Sequence, residues 1–133
     1  QRKRACWMLH HIGDRNPSTL KDHVRGMVNQ LEHVKTEAEQ RIILRYFSKY
    51  YIPENEEDES FLLNYCFDLI NTREGGVAPK VYAMTVVHRL VAKYPELARE
   101  LSESIANANQ SGSPGMKSRG NKIVADLKKR GLL

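Results

Sequence analysis

Apolar residues return at intervals of three and four along almost the whole chain. In "NPSTLKDHVRGMVNQL", Leu20, Val24, Met27, Val28 and Leu31 fall on one helical face. Ile43, Tyr46, Phe47 and Tyr50 make a second stripe, which Pro53 ends. Leu62, Tyr65, Cys66, Leu69 and Ile70 make a third, stopping near "TREGG", where Gly75 and Gly76 supply a turn. Ala83, Val87, Leu90, Val91 and Tyr94 form the next, and "YPEL" breaks the chain before Leu97, Leu101 and Ile105 resume it. Met116, Gly120, Ile123, Val124 and Leu127 close the series. Sustained alternation and Asn-Gly hairpins are missing, so strands are not expected.

Helix boundaries can be placed by their caps. Asn16 with Pro17 fits a helix start, since proline's missing N–H is no loss in the first turn. "TEAE", Thr36 to Glu39, has the form of a capping box, in which the hydroxyl takes an orphan N–H and the glutamate reaches back. Five acids stand in "ENEEDE", Glu54 to Glu59. We read that stretch as a solvated loop between helices, with Asp58 or Ser60 capping the next helix; the central glycine of a calcium loop is missing.

The stripes also echo one another. "RACWMLHHIGDRNP" laid on "YAMTVVHRLVAKYP" at a shift of 78 pairs Ala5 with Ala83, His10 with His88, Ile12 with Leu90 and Pro17 with Pro95. A further shift of 37 lays Ala83 on Gly120, Val87 on Val124 and Leu90 on Leu127. "RIILRYFSKYYIP" fits between, at about half the long shift. Helical pairs repeating every 37 to 41 residues, each burying its apolar face on the next, make an α-solenoid. The pattern resembles the HEAT-like and armadillo-type superfamily, to which bacterial alkylpurine DNA glycosylases belong. "APKVYAMTVVHRLVAKYPELARELSE" followed by "SGSPGMKSRGNKIVADL" resembles, more narrowly, a small bacterial family of HEAT-like repeats. The expected architecture is all-α: a HEAT-like α-α superhelix of about seven helices, with residues 1–133 as one helical-repeat domain. Because the chain opens on Gln1 and enters a helical pattern at once, we expect a piece of a longer protein.

Some relatives in such families carry an adenylosuccinate lyase label, and "SGSPGMKSRGNK" shows why that label needs testing. The lyase superfamily writes a catalytic loop as G-S-S-x-M-P-x-K-x-N. Gly112, Ser113, Met116 and Asn121 match it, and Arg119 stands for the lysine. Pro114, however, replaces the serine that the family uses as its proton-abstracting base, and proline cannot abstract a proton. Ser113 as N-cap and Pro114 as first helical residue is the preferred reading, and no catalytic residue is assigned.

Composition narrows the function classes. Hydrophobic residues make up 41% of the chain, which suits a packed core, and no apolar run approaches the roughly 20 residues of a membrane span. Cys6 and Cys66 each sit within an apolar stripe, as buried thiols of a reducing bacterial cytoplasm would. Cys6 and His10 share a helical face, but a structural zinc site wants four ligands, so no metal or other cofactor is expected. His10 and His88 fit a role in satisfying a carbonyl between helices. Trp7, Tyr46, Tyr50 and Tyr51 could stack bases, although core packing is the plainer use.

Charge gives the one candidate surface. The net charge is +5, with six Lys/Arg against two acids in residues 1–25 and six against one in residues 114–133. Under the repeat shifts Arg2, Lys80 and Lys117 become equivalent, and Arg4 coincides with Arg119. With Lys122 these cations are expected to form a basic stripe along the solenoid. A non-enzymatic binding or scaffold module is therefore expected. A protein partner is the first choice, with nucleic acid, held through its phosphates, the alternative.

Overall fold

The computed structural model of the protein describes residues 24–50 and 52–133. Six helices and no strands occur among them: α1 (Val24–Glu32), α2 (Glu37–Lys49), α3 (Glu56–Asn71), α4 (Val77–Val91), α5 (Leu97–Asn109) and α6 (Pro114–Lys129). Two compact units divide the chain between Leu62 and Leu63, so that α3 belongs in part to each. The expectations for Cys6, Trp7, His10, Asn16, Pro17 and Tyr51 lie outside the described residues.

In the first unit, α1 buries Val24, Met27, Val28 and Leu31, at helical spacing, and packs on α2. Thr36 caps α2 in an extended conformation, its Oγ1 accepting the N–H of Glu39 at 3.2 Å. Acids at Glu37 and Glu39 begin that helix and Lys49 ends it, each at the end of the helix dipole that favours its charge. Ile43, Leu44, Tyr46 and Phe47 form its buried side, with Tyr46 and Phe47 edge to face, ring centres 5.6 Å apart. Tyr46 is therefore core and not a stacking platform.

The acidic stretch is not a loop. α3 begins at Glu56, and Asn55 is its cap: its Oδ1 accepts the N–H groups of Glu57 at 2.9 Å and Asp58 at 3.2 Å. Four acids thus occupy the first turn, where orphan N–H groups and the positive end of the dipole favour them. Asp58 and Glu59 are buried, and Arg25 of α1 donates from Nε to Asp58 Oδ2 at 3.3 Å. The sequence reading took the whole run for a loop; Glu54, Glu56 and Glu57 are exposed as expected, whereas Glu56 to Glu59 are helical and Asp58 and Glu59 are buried.

In the second unit, α4, α5 and α6 pack pairwise on one another. α4 buries eight residues, among them Ala83, Met84, Val87 and Leu90, while α6 buries Met116, Gly120, Ile123 and Leu127. Gly75, with φ +98°, turns the chain between α3 and α4 in a conformation that suits glycine. Ser113 caps α6 with Oγ accepting the N–H of Met116 at 3.3 Å, and Pro114 is in the first turn. Gly120 brings α5 and α6 close: a Cβ there would lie 2.7 Å from Ile105 Cγ2. Cys66 of α3 is fully buried, and desolvation raises its thiol well above the usual range.

Candidate functional site

Lys117, Arg119 and Lys122 are all exposed on α6. At about 100° per residue, Lys117 and Arg119 stand about 200° apart round the helix, on opposite flanks. Lys122 stands about 60° from Arg119, so those two share a flank, to which the exposed Lys129 adds a third charge. Asp126, the sole acid of residues 114–133, is already engaged. His88 Nε2 on α4 meets its Oδ2 at 2.6 Å, and Arg130 Nε lies 3.0 Å from the same oxygen. The hydrogen bond from His88 is the main reason that this carboxyl is held below its ordinary pKa, with Arg130 adding to the effect. The histidine therefore serves a carboxylate, not the carbonyl expected from sequence.

Lys80 departs from the stripe. It is 5% exposed, and its Nζ donates to the carbonyl of Thr72, just past the end of α3. Burial lowers the pKa of this ammonium from the ordinary lysine value. The equivalence of Lys80 and Lys117 in the repeat therefore does not extend to equivalent exposure. α4 is covered at this position and α6 is not. Arg2 and Arg4 lie outside the described residues.

Lys80 instead borders an open cavity of about 560 Å³ between the α3–α4 and α5–α6 turns. Arg73, Asn71 and Asn107 also line it, over an apolar floor that includes Ile70 and Met116. Two amides tie its walls together. Asn71 Nδ2 donates to the Phe67 carbonyl at 2.8 Å and to Ser104 Oγ at 3.0 Å, and Asn107 Nδ2 donates to Asn71 Oδ1 at 3.1 Å. Sequence reading missed this site, although Asn71 and Asn107 stand 36 residues apart, close to the repeat shift.

A family model described as a HEAT repeat domain matches residues 2–127. The chain belongs to this HEAT repeat family. No curated protein and no solved structure matches it. Membership agrees with the alternation of helices and short turns, and with the burial of Ala83 and Gly120, Leu90 and Leu127 at the proposed shift. Among the described residues of this HEAT repeat domain, no group of three or more His, Cys, Asp or Glu side chains gathers to hold a metal. No helix among them is long and apolar enough to cross a membrane. Residues 111–122, which resemble the lyase loop, are the α5–α6 turn and the opening of α6, with Ser113 occupied as its cap.

Proposed function

We propose that this HEAT repeat domain is a non-enzymatic binding module that holds an acidic protein surface against the outer flank of α6. Arg119, Lys122 and Lys129 carry the reading: three exposed cations whose nearby acid, Asp126, is already engaged by His88 and Arg130. Helical repeats present extended surfaces, and charge complementarity on such a surface steers a partner and fixes its register. On this reading residues 1–133 work as one helical-repeat domain in a bacterial cytoplasm, where Cys66 stays a thiol. The test compares affinity capture by the native chain and by an Arg119→Glu, Lys122→Glu, Lys129→Glu variant. A partner retained by the first, lost by the second and released as salt rises supports the reading. Identical partner sets from both chains overturn it.

The same flank also suits nucleic acid, because three neighbouring cations can contact successive phosphates. Titration with single- and double-stranded oligonucleotides separates the two. Nucleic-acid binding predicts an affinity that falls steeply with salt, and a shallower slope in the triple variant. A flat salt response, or no binding near about 50 mM salt, removes it.

A further inference from the structure

We propose that the cavity between the α3–α4 and α5–α6 turns is a binding site for a small organic anion: a carboxylate or phosphate ester carried on an apolar body. This inference is independent of the α6 flank. Its volume, about 560 Å³, falls within the range of small-ligand pockets. Two cations line it, Arg73 and Lys80, and no aspartate or glutamate does. Lys80 is almost wholly removed from water, which disfavours its charge unless hydrogen bonds or an opposite charge compensate. The Thr72 carbonyl accepts one hydrogen bond from an ammonium that has three to give.

Three further features give the site its chemistry. α4 opens on Gly76 with no side-chain cap, so its first-turn N–H groups receive no side-chain acceptor from that residue, beside Gly75, Val77 and Lys80 of the lining. The positive end of the helix dipole adds to the field of the two cations. Below them Ile70, Ala108 and Met116 are buried and apolar, and Val77 is 43% exposed although large and hydrophobic. A charged head would face Arg73 and Lys80, while an apolar body would cover the floor and Val77. The Asn71–Asn107 hydrogen bond draws the two turns together and supports both walls.

The experiment is a titration of the full chain followed by backbone amide shifts, with phenyl phosphate, benzoate, inorganic phosphate and neutral benzyl alcohol as probes. Phenyl phosphate or benzoate should give saturable shifts centred on Arg73, Gly75, Val77 and Ser111, and the stronger of the two identifies the head group. Benzyl alcohol should give none, and inorganic phosphate should bind more weakly than phenyl phosphate. Arg73→Glu and Asn107→Asp, both at exposed positions, should each weaken anion binding about tenfold or more. Thermal unfolding of both variants confirms that they fold. Lys80→Met, whose buried methylenes are largely conserved, should do the same and separates the ammonium from its packing. The proposal is overturned by the lack of saturable shifts up to about 10 mM probe. Equal binding of benzyl alcohol, or unchanged anion affinity in folded Arg73→Glu, overturns it as well.

Discussion

Helices α4 and α6 carry matched residues 37 positions apart: Lys80 with Lys117, Ala83 with Gly120, Val87 with Val124 and Leu90 with Leu127. Their surroundings differ. The leucines are buried alike, but Val87 is fully enclosed while Val124 is half-buried, and Lys80 is inside while Lys117 is in water. α4 is packed on several sides and its flanks are covered, whereas α6 leaves its outer flank to solvent. A repeat therefore fixes which residues face the core, and the neighbours decide what the remaining positions do. In this domain the same lysine register serves a helix end and a cavity in one copy, and an open surface in the next.

Leu90→Ala and Leu127→Ala test the part that the copies share. Each should cost about 2–5 kcal/mol in urea unfolding, since both leave a cavity in the same packed unit. A cost at Leu127 far below that at Leu90 would mean that α6 is not held as firmly as its match. The next pair tests where the copies part. Gly120→Ala should destabilise by about 1–3 kcal/mol, because the new methyl meets Ile105 in a filled core and outweighs the helix propensity gained. Ala83→Gly should cost about 1 kcal/mol, the helical penalty of glycine. A neutral or stabilising Gly120→Ala would show that α5 and α6 can separate freely.

Smaller effects are expected at the ends of α6. Ser113→Ala removes the acceptor for the Met116 N–H and should cost about 1 kcal/mol, read as a lower midpoint of thermal unfolding. At the other end, Asp126→Asn tests the bond between the two matched helices. The folded carboxyl titrates below its ordinary value, so its stabilisation is present above the unfolded pKa of about 3.9. It is lost as pH falls through the depressed folded value. The native chain should be the more stable at neutral pH, and the difference from the variant should close in acid. A constant difference across that range would rule out ionisation as the source.

How far the sequence reached can be judged residue by residue. Val24, Met27, Val28 and Leu31 were readable because burial of one face imposes a period, and the period survives without coordinates. Thr36 and Ser113 were readable as caps because their bonds stay within three residues. Lys80 was not, since its ammonium turns back across the α3–α4 turn to the Thr72 carbonyl, a contact that helical periodicity does not encode. The partner of His88 lies 38 residues away, and repeat matching assigned it a carbonyl when a carboxylate stands there. The cavity was missed because its two walls come from turns about 36 residues apart, and only packing brings them together.

The burial of Cys66 gives the domain a built-in clock. A thiol reagent reacts with the thiolate, and this sulfur is both shut away from reagent and held in its neutral form. Chemical labelling at this position must therefore wait for α3 to come away from its neighbours, so the rate of modification counts those excursions. Once serine replaces Cys6, the other cysteine, that rate reports on Cys66 alone.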